Sequence, residues 1–394
     1  MPRNVCGPPV RDEDFVGRTE DVARVWDQLS LGHVLLTAPR RVGKTSLMHH
    51  LQRTAAQRRG WAGAVYYTSE GDKDEAAFVA GLFAEIAKVP GGHFVAERLG
   101  DARVRAVLAR VSRLEVGQLA IELREAGGGD WSVLGGALHD GLRGLPPGRR
   151  LLLMVDELPV FVKRLLDADR ARAERFLAWF RMVRQARPER DEPVRWLLAG
   201  SIGLAPLTER EGWPHLINDL ATVSLGELTP DAARGLLDGL AGTHRVALGE
   251  AEREALLDRL GWALPYFLQL AFARLRQQPA GPDRVDRVFA GLCGADAAKD
   301  FAPWWSRLAK ELGAVRGAAA ESVLDVCAAD PAGVSRDGVR EAVRGFWADE
   351  REREAGRADL LRCLEHDGYL TFVDYRWRFR SPLLRDVWRA RRDR

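Results

Sequence analysis

Two spacings of apolar residues alternate along the first 230 positions of this chain. Short, nearly unbroken apolar runs occur at HVLLTA (33–38), AGAVYYTSE (62–70), RLLLMVDE (150–157), VRWLLAGS (194–201) and ATVSLGEL (221–228). Before and between them lie stretches with apolar positions three and four apart. The first covers residues 15–32, with Val22, Val25, Trp26 and Leu29 on one helical face and Gly32 as its stop. Four of the five runs are apolar enough for strands covered on both faces, so the pattern predicts a parallel sheet with crossover helices. Residues 71–149 are too many for one crossover. They hold a predicted helix at AAFVAGLFAEIAK, a strand candidate at GQLAIELRE and a glycine run at 127–129, and read as an inserted subdomain or hairpin. No Lys-Thr follows the glycine run, which favours a flexible turn over a second phosphate loop.

After Leu228 the pattern turns helical. Thr229 can cap a helix with Pro230 at its first position and Asp231 in its first turn. EAEREALLDRL (250–260) and YFLQLAFARLRQ continue the helical spacing on either side of GWALP. The last hundred residues differ again: ESVLDVCAAD (321–330), SRDGVREAVRGF (335–346) and ADLLRCLEHDGYL (358–370) are amphipathic. TFVDYRWRFR alternates like a β-hairpin, and PLLRDVWRARR closes the chain as a helix. Helices followed by a two-stranded wing is the order of a winged helix. The expected domains are a sheet domain at 1–228 carrying the 71–149 insertion, a helical lid at 229–285 and a winged-helix domain at 286–394.

The junction of the first apolar run with the next helix reads TAPRRVGKTSLM, the strand, turn, helix order of a phosphate-binding loop. Backbone N–H groups at a helix N-terminus favour an anion, and Gly43 permits close approach. The loop comprises Pro39, Arg40, Arg41, Val42, Gly43, Lys44, Thr45 and Ser46. Lys44 is placed to reach β- and γ-phosphates and Thr45 to ligate Mg²⁺. The position usually held by the first glycine is Ala38, which keeps the turn provided its φ is negative. A second marker is the apolar strand LLLMVDELP. Asp156 at its end can hold Mg²⁺ through water, and Glu157 can orient and deprotonate the attacking water, although a terminal Asp-Glu also caps helices.

Ser201, ending VRWLLAGS, is a candidate for touching the γ-phosphate or for capping a helix. Arg210 is the best placed of many arginines for a finger that stabilises transition-state charge. Arg40 and Arg41 face either phosphate or a partner surface. Pro265 either touches nucleotide or simply begins a helix.

Composition narrows the classes. The chain has 394 residues, 46% hydrophobic and 29% charged, with net charge +3, which suits a soluble multidomain protein and gives no whole-chain argument for nucleic acid. No apolar run nears membrane-spanning length and no export signal opens the chain, so a cytoplasmic protein without a membrane partner is expected. Cys6, Cys293, Cys327 and Cys363 lack metal-ligand spacing and read as reduced thiols. Charge is uneven, however: residues 376–394 hold eight arginines against two aspartates. Arg376, Arg378 and Arg380 alternate with Trp377 and Phe379 along the wing, which raises DNA binding as an alternative. Against it, ADLLRCLEHDGYL carries Asp359, Glu365 and Asp367 against Arg362, a poor match to a major groove. A protein-interaction or intramolecular role is favoured.

With these residues in hand, the chain resembles archaeal-type STAND ATPases, relatives of AAA+ proteins. The matching pieces are FVGR (15–18), APRRVGKTSL (38–47), LLLMVDELP (151–159), AGSIGL (199–204), INDL (217–220), GWALPYFLQ (261–269) and RFRSPLLRDVW near the end. The resemblance implies an α/β fold with a P-loop parallel sheet ordered 5-1-4-3-2, a helical lid and a winged helix. It implies that Val16, Gly17 and Arg18 lie near adenine and that Pro265 contacts nucleotide from the lid. It also implies ATP and Mg²⁺ as cofactors and a slow, nucleotide-controlled switch that is closed with ADP, open and often oligomeric with ATP, and reset by hydrolysis. The output would be a separate effector protein, with bacterial stress or phage-defence signalling as the setting. The competing reading is a DNA-binding AAA+-like regulator or loader acting through the winged helix.

Overall fold

A computed structural model describes residues 2–89, 131–143, 148, 150–185, 193–200 and 203–393. The strand candidate GQLAIELRE, the glycine run at 127–129 and Ser201 lie outside the described residues. The chain divides into two compact units: Thr19–Ala38 with Lys44–Leu225, and Met1–Arg18 with Pro39–Gly43 and Gly226–Arg394.

The first unit begins with α1 (Thr19–Leu31), β1 (His33–Thr37), α2 (Lys44–Thr54), β2 (Trp61–Thr68) and α3 (Glu75–Ala87). It continues through α4 (Ser132–Arg143), β3 (Arg150–Asp156), α5 (Leu158–Ala168), α6 (Arg170–Arg184), β4 (Val194–Ala199), α7 (Leu204–Glu211) and β5 (Leu220–Ser224). The five strands form one sheet ordered β5-β1-β4-β3-β2, the order that the resemblance implies. Every neighbouring pair is parallel, with Leu36 opposite Ala199, Thr37 opposite Ser224 and Thr68 opposite Asp156. All of β4 and β3 from Leu151 onward are buried, whereas β5 at the edge is largely accessible. That contrast explains the unbroken apolar runs of the inner strands.

One face of the sheet carries an aromatic core in which Phe78 stacks on Phe161 at 5.1 Å and Phe180 meets Trp196 edge-on at 5.1 Å. Beneath the sheet's other end, the fully buried Arg184 guanidinium donates to both Asp219 oxygens (2.8 and 2.9 Å) and to the Leu216 carbonyl (2.7 Å). This ties α6 to the INDL segment that leads into β5.

His33 opens β1 in the same region. Its Nδ1 accepts from the Trp196 N–H (3.3 Å), which leaves the protonated Nε2 to donate to the Arg184 carbonyl (2.8 Å). Burial is the main cause that lowers its pKa to about 4; the Arg195 charge lowers it further. Between pH 6.5 and about 4 the unfolded chain therefore binds more protons at this position than the folded one, and stability falls as pH falls through that window. The full effect is on the order of 3 kcal/mol. Denaturant midpoints measured from pH 7 to 4.5 should fall less steeply for His33→Gln than for the natural protein. Parallel curves would disprove this assignment.

The second unit contains α8 (Pro230–His244), α9 (Glu250–Leu260), α10 (Pro265–Leu275), α11 (Arg284–Cys293) and α12 (Ala298–Ala329), the last broken at Gly313. Then come β6 (Val334–Ser335), α13 (Arg336–Ala342), α14 (Glu350–His366), β7 (Leu370–Val373), β8 (Arg376–Phe379) and α15 (Pro382–Arg392). Thr229 does cap α8, its hydroxyl accepting from the Ala232 N–H at 3.3 Å. The three short strands pair antiparallel in the order β6-β8-β7, giving the helix and wing order of a winged helix.

α14 starts earlier than the periodicity predicts. Its first turns, EREREAGR, contain no leucine, valine or aromatic residue to mark a face, but Asp349 caps them by accepting from the Glu352 N–H at 2.8 Å. The tryptophans serve as packing anchors: Trp304 stacks on Phe267 at 5.4 Å and Trp305 meets Trp388 at 5.0 Å. α9 and α15 are also locked together. The Ser381 hydroxyl donates to the Leu260 carbonyl (2.6 Å), and a Cβ on Gly261, whose φ is +59°, would sit 2.3 Å from Pro382 Cδ.

Candidate functional site

α2 begins at Lys44, directly beyond the left-handed Gly43 (φ 102°). The left-handed positions of the preceding loop are Arg41 (φ 64°) and Gly43; Ala38 is not among them, which is why alanine is tolerated there. Lys44 is buried, and its amine donates to the Ala38 carbonyl at 3.0 Å. Thr45 follows, half-buried, and its Oγ1 donates to Asp156 Oδ2 at 2.8 Å. Ser46 is buried in the same helical turn.

Asp156 ends β3 with its carboxylate satisfied from several sides. Besides Thr45, the Tyr66 hydroxyl donates to Oδ2 at 3.1 Å and the Glu157 N–H donates to Oδ1 at 3.0 Å. Its carbonyl accepts from the Ser69 N–H (3.0 Å) and hydroxyl (3.1 Å). Burial and the neighbouring Glu157 charge raise the Asp156 pKa, while Thr45, Lys44 and Tyr66 oppose the rise.

Glu157 is a non-glycine residue in the left-handed region, φ 57°, at the sharp turn from β3 into α5. Such conformations cost free energy and persist where the surroundings enforce them. Here the enforcement is visible on the adjacent strand. A Cβ on Gly200 would lie 2.4 Å from Pro159 Cδ, so only glycine lets β4 end against the first turn of α5.

Lys44, Thr45, Asp156 and Glu157 thus share the carboxyl edge of one sheet. Arg210 stands apart, in the last turn of α7, where its Nε donates to Glu211 at 3.1 Å. In the second unit, Arg18 is buried and donates to the Val42 carbonyl (2.8 Å) and the Glu227 carbonyl (3.3 Å). A Cβ on Gly17 (φ 75°) would lie 3.0 Å from Ala232 Cβ and 3.3 Å from Leu228 Cδ2, a tight fit at a conformation that favours glycine. Arg41 places its guanidinium 4.5 Å from the Tyr266 ring centroid and donates to the Gly7 carbonyl at 3.3 Å. Pro265 occupies the first turn of α10, next to Tyr266. The sequence motifs do not mark Tyr66 or Ser69. Their signal would have been the registry of β2 against β3, which apolar runs do not encode.

Among the described residues, no group of three or more His, Cys, Asp or Glu side chains is placed to hold a metal ion. Mg²⁺ takes hard oxygens, keeps several waters, and is completed by substrate phosphates. Thr45 Oγ1 and Asp156 Oδ2, two oxygens 2.8 Å apart beside the phosphate-loop lysine, fit such an ion. Among the described residues no helix is long and apolar enough to cross a membrane.

No protein-family model matches this chain, and no curated protein sequence matches it. Among solved structures it is similar to the Walker-type ATPase paby2304 of Pyrococcus abyssi, with TM-score 0.62, 16% identity, and 98% of this chain and 99% of that chain covered. The ORC2 protein of Aeropyrum pernix in its ADPNP-ADP complexes matches with TM-score 0.47 and 13% identity over 97% and 98% of the two chains. A RuvB mutant of Thermotoga maritima matches with TM-score 0.41 and 13% identity over 93% of each. The first likeness shows the fold alone: an AAA-like P-loop α/β sheet followed by helices, shared end to end.

Proposed function

We propose that this chain binds ATP with Mg²⁺, hydrolyses it slowly, and acts as a STAND-type molecular switch whose nucleotide state changes its conformation or assembly to control a separate partner. The observation that carries this reading is the Thr45–Asp156 hydrogen bond at the sheet's carboxyl edge, with Lys44 before it in the loop and Glu157 after it in the chain. A nucleotide-binding loop, an acid at the strand end and a following base are the parts that phosphoryl transfer to water requires.

In this reading Lys44 leaves the Ala38 carbonyl for the β- and γ-phosphates. Backbone N–H groups of the loop receive the remaining phosphate oxygens. Thr45 and Asp156 hold Mg²⁺, which neutralises charge on the phosphates when bound. Glu157, fixed by its turn, orients a water and takes its proton. Val16, Gly17 and Arg18 lie near the adenine, Pro265 contacts nucleotide from the lid, Ser201 reports the γ-phosphate, and Arg210 serves as a finger in cis or in trans. The three-part division at 1–228, 229–285 and 286–394 belongs to the same proposal. Its second boundary passes through α11.

Internal use of the C-terminal arginines supports a protein partner over DNA. Arg376 donates to the Gly333 carbonyl at 2.7 Å, Arg380 lies over Trp262, and Arg392 pairs with Asp325 and Glu321 of α12. Arginines held this way are less available to phosphates.

The test is size-exclusion light scattering with ADP, and with a non-hydrolysable ATP analogue plus Mg²⁺. The analogue should yield a larger, defined assembly or a measurably different shape. Identical elution and mass in both nucleotides would sink the switch reading.

A further inference from the structure

We propose that Tyr66 is a positioning residue for the metal-binding edge of the site: its hydroxyl fixes the orientation in which Asp156 and Thr45 share Mg²⁺. The inference rests on the ATP reading above and deepens it.

The argument starts on α2. Thr45 and His49 are four residues apart, so both lie on one face of that helix. Thr45 reaches Asp156 Oδ2 at 2.8 Å. The His49 ring packs on the Tyr66 ring with centroids 4.5 Å apart, and the Tyr66 hydroxyl reaches the same Oδ2 at 3.1 Å. The four side chains therefore close a loop, from helix to strand end to neighbouring strand and back to the helix. Tyr66 sits opposite Met154 in the β2–β3 register, two residues short of Asp156, which lets the phenol extend along the strand to the carboxylate.

A carboxylate with one donor can turn about its terminal bond. With Tyr66 and Thr45 on Oδ2 and the Glu157 N–H on Oδ1, both oxygens are held in place. Hydrogen bonds that orient a metal-binding carboxylate typically change metal affinity by about 10- to 100-fold when removed. The half-buried phenol and its 3.1 Å bond place the expectation at the lower end, about tenfold.

Tyr66→Phe removes the hydroxyl and keeps the ring against His49. Binding of a fluorescent ADP analogue, titrated with Mg²⁺ and repeated in EDTA, should show the Mg²⁺ half-saturation point rising about tenfold. Affinity in EDTA and melting temperature should stay as in the natural protein. A half-saturation point within about twofold of the natural one overturns the inference, since that is too small for a lost orienting bond. So does a shift seen only in Tyr66→Leu, which would assign the effect to ring packing. A natural protein that binds no nucleotide overturns the ATP reading and this inference with it. Mg²⁺-dependent binding that Tyr66→Phe leaves unaltered overturns this inference alone.

Discussion

Lys44→Ala should weaken ATP binding by roughly 10- to 100-fold while the protein stays folded. A charge-assisted hydrogen bond to an anion contributes about 1.5–3 kcal/mol. Each 1.4 kcal/mol is about a factor of ten in affinity. In the folded protein the amine donates to the Ala38 carbonyl at 3.0 Å, and its charge acts on Asp156. Calorimetric titration with ATP and Mg²⁺, beside a thermal melt of the same sample, separates binding from folding. Unchanged affinity would remove the phosphate-loop assignment and every role that depends on it. Lys44→Arg is informative as well, because a planar fork does not replace a compact ammonium in a loop this close to the backbone.

Some of this was legible in the residues and some was not, and the division follows the range of the interactions. The inner strands, buried on both faces, leave apolar runs, and the ends of β1 and β3 carried the polar residues of the candidate site; the accessible edge strand β5 left the weaker run ATVSLGEL. The Thr229 cap and Pro230 start were visible because capping is local. The strand order came through resemblance rather than periodicity, since nothing in an apolar run states its neighbour. Long-range polar pairs were invisible for the same reason: Arg184 with Asp219, His33 with the Trp196 N–H, and Tyr66 with Asp156. α14 hid its first turns behind a charged run with no apolar stripe. The C-terminal arginine excess was legible as charge, but the acids on α12 and the Trp262 ring that meet part of it were not.

Glu157→Gln is expected to lower the ATP turnover rate by about 10²- to 10⁴-fold, the range for loss of a general base, while leaving ATP affinity close to that of the natural protein. The amide keeps the size and hydrogen-bonding capacity of the side chain but cannot accept the water's proton. The left-handed turn at φ 57° should survive, because Asp156 still accepts from the backbone N–H of residue 157 and Gly200 still admits Pro159. Single-turnover hydrolysis and equilibrium binding, measured on the same preparation, give the two numbers. Retained turnover within about threefold, well short of a lost base, would assign Glu157 to the helix start alone and leave the base unidentified. Loss of both binding and turnover would instead mean that Glu157 supports the fold of the edge. If binding is kept and turnover lost, ATP itself becomes a usable trapping ligand. Light scattering of Glu157→Gln with ATP and Mg²⁺ should then reproduce the analogue-bound state of the natural protein, because both hold an uncleaved γ-phosphate. Agreement between them would tie the conformational response to that phosphate rather than to the chemistry of the analogue.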